Sequence, residues 1–383
     1  MEPMPIKPQA VANDDAPIYV TRTFLPPQED YLKWLNKAWE SHCLTNNGPI
    51  HQELEETLRA RFEVPHLRLM ANGTLAIQLA LKALGVKGKV VTTPYSYVAT
   101  TSAILWEGCE PVYVDIKPDT LCIDPGLIEA AITPDTTAIL ATHVYGIPCD
   151  VEAIDAIARK HGLKVIYDAA HAFDVKYKGR SILQWGDAST LSFHATKLFH
   201  TVEGGAVVLH NDEADRKLRL LRSFGHNADE HFCLGMNAKM SEVHAGMGMA
   251  ILPHMPKILA DRKRITDRYN EALAGLPIQR PQVSDPPGYN YSYYPIVLNS
   301  MEERESVLTN MAAQGVMCRR YFFPSLNTLP YVPTGASPIS ERAAATALCL
   351  PFHDQLTDRE MDRVVTALKH SLATAAALVA EVI

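Results

Sequence analysis

The stretch Ser189–Val208, STLSFHATKLFHTVEGGAVV, sets one lysine, Lys197, between two apolar runs. Leu191, Phe193 and Ala195 on one side, and Ala206, Val207, Val208 and Leu209 on the other, read as two short buried strands. Lys197 falls on their connection, and Gly204–Gly205 follow it closely. Most lysines lay an apolar stem on the protein and keep the ammonium in water. A lysine held between buried strands loses that hydration. Desolvation then favours the neutral amine, which can attack a carbonyl carbon and form a Schiff base. An unperturbed lysine, with a pKa of about 10.4, needs that help at neutral pH.

Outward from this stretch, the chain alternates short apolar runs with helical patterns. HLRLM precedes GTLAIQLALKAL, KVVTT precedes YSYVATTSAILW, and PVYVDI precedes GLIEAAI. TAILATHVYG precedes DVEAIDAIARKHG, and KVIYDAA follows. The alternation predicts an α/β domain with a mainly parallel sheet, whose ligand sits at the carboxyl ends of the strands. A second region begins near Pro253. Residues 254–276 read as one long connector helix, YSYYPIVL (291–298) as a strand, and 301–315 as a helix. Two more helices are expected near 340–348 and 357–373. The predicted division is a large domain with an N-terminal extension over 1–252, and a connector helix with a small α+β domain over 253–383.

The 383 residues, 47% hydrophobic and 21% charged, form an ordinary globular balance for about two domains. A net charge of −7 without a basic stripe argues against a nucleic-acid partner. No apolar run reaches the length of a membrane span, and the apolar LATAAALVAEVI at the end reads as a docked helix. The first fifteen residues read as disordered and lack the pattern of a secretory signal. Seven cysteines, none in a C-x-x-C spacing, argue against a disulfide framework and against a thiolate metal site. Free thiols in a reducing cytoplasm are expected, with no metal.

Three further segments carry chemistry. In VIYDAAHAFD, Asp168 ends a buried strand, where a carboxylate must be paired or hydrogen-bonded. It caps the following turn or faces a cationic ligand; His171, three residues on, is a core histidine or a ligand contact. In MANGTLAIQLALKAL, Asn72–Gly73–Thr74 open a mostly buried helix. Its free N–H groups and positive dipole end suit a phosphate, although an ordinary N-cap explains the same residues. In TTPYSYVAT, Tyr97 opens another helix and could stack on a flat ring. Each signal is weak alone. Together they describe pyridoxal 5′-phosphate (PLP): a lysine for the aldehyde, a carboxylate for the cationic ring nitrogen, a helix start for the phosphate and an aromatic ring for stacking.

DAAHAF, STLSFHATKLFHTVEGGAVV, ANGTLA, TTPYSYVAT and GMNAKMSEVHAGMG together resemble the DegT/DnrJ/EryC1/StrS sugar aminotransferases. The resemblance runs from LTNNGP at 44–49 to CLPFH at 349–353. It implies PLP fold type I, aspartate-aminotransferase-like, with a large mainly parallel seven-stranded sheet domain, and a homodimer with shared active sites. It makes Lys197 and Asp168 the catalytic pair, with His171 on the ring hydroxyl and Tyr97 over the ring. Gly73, Thr74 and Ser192 would hold the phosphate, and Asn237 would reach the phosphate of the other subunit. CRRYFFPSLN resembles the family's substrate loop and implies Arg319 and Tyr321 as substrate contacts. Two departures stand out: Asp174 where the family often has glycine, and Ala238, near the expected cleft, where it often has tyrosine.

Within the family, the run around Lys197 resembles the branch that aminates C4 of a nucleotide-linked 4-keto-6-deoxyhexose. The expected reaction turns dTDP-4-keto-6-deoxy-D-glucose and L-glutamate into dTDP-4-amino-4,6-dideoxy-D-glucose, a deoxyamino sugar for a surface polysaccharide such as an O-antigen lipopolysaccharide, or for a natural product. C3-aminating members usually carry Tyr-Pro-Gly before the lysine, where this chain has His194–Ala195–Thr196. Amination at C3, a UDP- or GDP-linked sugar, a small amino acid substrate and a PLP-binding regulatory protein remain as alternatives.

Overall fold

The computed structural model describes residues 16–283, 288–333 and 335–380, with side chains to residue 376. The first fifteen residues, and with them the expected disorder, lie outside the described residues, as do the middle of the proline-rich 280–290 stretch and the last three residues of LATAAALVAEVI.

The centre is a seven-stranded sheet in the order His66–Met70, Gly205–Leu209, Ala188–Ser192, Lys164–Asp168, Thr136–Thr142, Lys89–Thr92 and Glu110–Tyr113. Gly205–Leu209 runs antiparallel to both neighbours; the other pairs are parallel. Both faces are covered, so the strands read as continuous apolar runs. Val165 and Tyr167 pack into one core and Ile166 into the other; Ala206 and Val208 likewise oppose Val207 and Leu209. Each such Val, Ile or Leu, fully buried, contributes about 1.5–3 kcal/mol.

The helix Gly73–Ala83 is apolar on nearly every side because it is buried nearly all round. It begins where Asn72 Oδ1 accepts the Leu75 N–H at 2.9 Å. Lys82, in its last turn, is exposed and lies 3.6 Å from Glu107.

The C-terminal part has its own core, built from Ile265, Tyr269, Tyr294, Ile296, Val307, Leu348, Phe352 and neighbours. The connector helix runs over Met255–Ala272. Ile18–Tyr19 pair in parallel with Val316–Met317, so the start of the described chain fastens to the C-terminal part. We propose the domain boundary at 252/253, with this strand attached across it.

Three elements differ from the sequence reading. The strand expected over 291–298 is confined to Pro295–Val297. The residues before it are used otherwise: Asn290 Nδ2 donates to the carbonyls of His171 and Phe173, each at 2.8 Å, and Ser292 Oγ donates to the His171 carbonyl at 2.6 Å. The helix expected to reach 348 ends at Thr346, and Ala347–Cys349 become a strand paired with Pro295–Val297. Pro351 lies just beyond and disfavours helical backbone before it. The last helix spans Asp358–Ala380, so the helix expected over 357–373 and the helical reading of LATAAALVAEVI are one continuous element.

Candidate active site

The strand ends bring the site together. Asp168 ends one strand, Thr142 its neighbour and Ser192 the next. Asn72, Gly73 and Thr74 follow the edge strand His66–Met70, and Tyr97 caps the helix Val98–Trp106. Lys197 sits on the connection between Ala188–Ser192 and Gly205–Leu209. That connection is pinned: the Thr201 N–H donates to the Phe193 carbonyl at 2.9 Å, and the Phe193 and Phe199 rings meet edge-on at 5.0 Å. His200 Nε2 donates to the Phe24 carbonyl at 2.7 Å while its Nδ1 accepts the Val202 N–H. A single cleft of about 220 Å³ is lined by Gly73, Thr74, Tyr97, Asp168, His171, Ser192, Lys197, Arg319 and Tyr321.

The charges in the cleft are unsettled by burial. Burial lowers the Lys197 amine to about 8; the Asp168 carboxylate opposes this and the Arg319 guanidinium adds to it. At pH 7 the neutral fraction rises from about 1 in 3,000 to about 1 in 10. Burial pushes Asp168 upward, against the hydrogen bonds from Thr100 and the Ala170 N–H and the charge of Lys197. Burial also holds His171 well below its usual range, with the charge of Lys197 acting in the same direction. The neutral ring accepts the Tyr145 N–H at Nδ1, 3.2 Å away, which leaves its proton on Nε2. The Phe322 ring lies parallel to it at 5.7 Å and Tyr293 tilts against it at 4.7 Å.

These residues fit PLP. The Gly73 backbone lies so close to Ser192 that a Cβ there would fall 2.9 Å from the Ser192 Cβ. Gly205 is equally constrained: its Cβ would meet the Asn72 carbonyl carbon and the Leu191 oxygen, each at 2.7 Å. Among the described residues the N–H groups of Gly73 and Thr74 have no protein acceptor, which leaves a helix start open to an anion. A buried carboxylate and a lysine whose pKa burial has lowered to about 8 face the same space. No cluster able to hold a metal ion occurs among the described residues.

Three residues singled out in the sequence lie outside the cleft wall. Ala238 does not line the cleft; it is fully buried in the core, and its carbonyl accepts the Ala71 N–H at 2.8 Å. Asn237 is exposed and lies outside the cleft of its own chain. Asp174 sits in a turn: its φ is +60°, a conformation that favours glycine, and its carboxylate accepts from Arg61 on the helix Pro49–Phe62 at 2.7 and 2.6 Å. Sequence reasoning missed Ser96, Thr142, Glu203 and Phe322 in the cleft wall, and Thr100, which donates to Asp168 Oδ2 at 2.7 Å. The signal is the density of hydroxyls over Thr92–Thr101, the same stretch that carries Tyr97.

A seven-stranded α/β sheet that presents a lysine and an aspartate in one cleft at its strand ends defines the class, a PLP fold type I architecture. The chain belongs to the DegT/DnrJ/EryC1/StrS aminotransferase family, whose pattern it matches over residues 27–369. It is 42% identical to the dTDP-4-amino-4,6-dideoxy-D-glucose transaminase of Shigella dysenteriae, over 93% of this chain and 99% of the other. Among solved structures it resembles DesI, determined in the presence of its TDP-sugar product, with a TM-score of 0.90 and 33% identity over 96% of each chain. It also resembles NtdA of Bacillus subtilis with bound cofactor PMP, with a TM-score of 0.83 and 30% identity over 90% of this chain and 82% of that one.

Proposed function

We propose that this chain is a PLP-dependent aminotransferase that moves the amino group of L-glutamate to C4 of a nucleotide-linked 4-keto-6-deoxyhexose, with dTDP-4-keto-6-deoxy-D-glucose as its substrate. The observation that carries this reading is the pairing of a depressed lysine with a buried aspartate in one cleft, in a chain so similar to the Shigella transaminase. When bound, PLP supplies a cationic ring that takes up the electron pair left as the α-proton departs.

The residues then divide the work. Lys197 Nζ would hold the cofactor aldehyde, and its amine, once free, would carry the proton taken from the α-carbon of the amino donor. Its pKa of about 8 leaves both forms populated near neutral pH. Asp168 keeps the ring nitrogen protonated, and His171 donates from Nε2 to the ring hydroxyl. Tyr97, exposed at the mouth, covers the ring face. Gly73, Thr74 and Ser192 hold the phosphate. Arg319, with its guanidinium 4.5 Å from the Tyr321 ring, and Tyr321 itself contact the anionic substrates. Asn237 serves the phosphate of a second copy in a homodimer. The exposed Phe224, Phe232 and Leu234, close to it in sequence, give apolar surface for that contact. No helix among the described residues is long and apolar enough to cross a membrane, and all seven cysteines are free thiols; we place the enzyme in the cytoplasm.

Amino transfer in two halves predicts ping-pong kinetics, with 2-oxoglutarate leaving before the sugar enters. The test is a product assay resolved by NMR: holoenzyme, L-glutamate and dTDP-4-keto-6-deoxy-D-glucose. The expected result is a new amine at C4, with coupling constants that fix its stereochemistry. Amination at C3, or turnover only of UDP- or GDP-linked sugars, would move the enzyme to another branch of the family. Cofactor binding without turnover of any sugar nucleotide would support a regulatory role instead.

A further inference from the structure

Resting on the assignment of Asp168 to the cofactor ring nitrogen, we propose that Thr100 is a positioning residue for Asp168 and the last member of a one-way hydroxyl relay, Thr142 to Ser96 to Thr100. Thr142 Oγ1 donates to Ser96 Oγ at 3.0 Å, Ser96 Oγ lies 2.8 Å from Thr100 Oγ1, and Thr100 Oγ1 donates to Asp168 Oδ2 at 2.7 Å. Each hydroxyl has one proton to give, and an ionised carboxylate has none. Thr100 therefore spends its proton on Asp168 and can only accept from Ser96. Ser96 must then donate to Thr100, and it accepts from Thr142. The charge on Asp168 sets the direction of the whole chain, and the aligned dipoles strengthen one another.

The relay also fixes orientation. The Ala170 N–H donates to Asp168 Oδ1 at 3.1 Å, so each carboxylate oxygen has one protein donor and the carboxylate cannot turn. Thr100, Ser96, Thr142 and Asp168 are 0%, 2%, 4% and 5% exposed, so bulk water cannot replace a lost donor. The three hydroxyls come from different elements: the end of strand Thr136–Thr142, the loop before the helix Val98–Trp106, and the first turn of that helix. Lys197 is the charge that acts on Asp168, and His171, Glu203 and Arg319 face the same cleft. Burial favours a neutral Asp168, which would no longer hold the ring nitrogen in its cationic form. The relay opposes that loss.

The experiment uses the PLP-loaded enzyme and its Thr100→Val, Thr100→Ser, Ser96→Ala and Asp168→Asn variants. Three quantities are read: the PLP dissociation constant, the pH at which the cofactor's visible absorption changes form, and the split between kcat and KM for L-glutamate. Thr100→Val, which keeps the shape and removes the donor, should weaken PLP binding about tenfold to a hundredfold. Its absorption transition should move upward by about one pH unit, because a ring that has lost its positive charge lets the Lys197 nitrogen keep its proton longer. Its kcat should fall with little change in KM. Thr100→Ser should restore most of each loss, and Ser96→Ala should show the same changes at smaller size. An absorption transition and dissociation constant unchanged in Thr100→Val, or a Thr100→Ser no better than Thr100→Val, would overturn the relay. If Thr100→Val does not fold, an unchanged transition in Ser96→Ala overturns it equally. Asp168→Asn separates the two levels: a silent Asp168→Asn removes the role of Asp168 itself, whereas a severe Asp168→Asn with a silent Thr100→Val removes the relay alone.

Discussion

Two groups of buried charges in this chain behave in opposite ways. Around Glu55 the charges are fully partnered. Its carboxylate accepts from Arg68 at 2.5 Å, from Arg222 at 2.9 Å and from the Leu69 N–H at 3.0 Å, with His51 against it at 3.3 Å. Arg68 also grips Asp215 at 2.6 and 2.8 Å. Burial alone would raise Glu55, but the His51 hydrogen bond and the charges of Arg222, His51 and Arg68 hold it well below the usual carboxylate range. In the cleft the balance reverses: Asp168 is pushed up and Lys197 down to about 8, because the partners present do not offset burial. A buried charge with all its partners is an anchor. One left short of partners is waiting for a ligand, which is why such shifts collect at functional sites.

The sharpest way to test the contrast is to remove one charge from each group. Lys197→Ala should keep the fold and lose at least about a thousandfold in sugar-nucleotide amination, since both the cofactor's anchor and the proton carrier are gone. Near-normal rates in that variant would break the account of the cleft. Asp168→Asn should still bind PLP but turn over about a hundredfold more slowly, measured as kcat with saturating L-glutamate. Glu55→Gln should do the reverse. Unfolding in denaturant should show a loss of about 3–5 kcal/mol, because Arg68 and Arg222 are left underpaired, while the residual folded enzyme keeps its absorption spectrum. The sign with pH follows. Glu55 and Asp215 have folded pKa values below their unfolded ones, so their stabilisation is present above about pH 4.5 and fades as pH falls towards the depressed values.

The cleft predicts a different pH response. Loading of PLP onto the apoenzyme needs the neutral amine of Lys197, so its rate should climb about tenfold per pH unit below 8 and level off above it. A rise that continued towards pH 10 in stopped-flow absorbance would mean an unperturbed lysine. The smallest effect belongs to Asp174, where a strained left-handed backbone is offset by the paired Arg61. Asp174→Gly relaxes one and loses the other, so stability should move by no more than about 1 kcal/mol and activity not at all.

How much of this was legible in the sequence depends on the range of the interaction. The strands around Lys197 and Asp168 carry apolar runs bounded by glycine and polar residues, so the sheet and the position of both residues at its strand ends could be read locally. Tyr291–Tyr294 could not: their aromatic pattern suits a strand, but Asn290 and Ser292 are drawn to the carbonyls of His171 and Phe173, more than a hundred residues away. The same holds for Thr100, whose partner Asp168 is 68 positions distant. Ala238 shows the converse. Its neighbours in sequence belong to a motif near the cleft, but its own Cβ turns into the core beneath Ala71. Spacing assigns residues to elements; which neighbours a side chain meets is a property of the assembled sheet.

The central claim is that Lys197, buried and with its amine lowered to about 8, is held so that it can carry the cofactor. Borohydride reduction of the PLP-loaded enzyme, followed by peptide mass mapping, tests this directly. The reduced cofactor's mass should appear on the peptide that contains Lys197 and on neither the Lys82 nor the Lys239 peptide. Label on another lysine, or a fully loaded enzyme with no label at Lys197, would contradict the account.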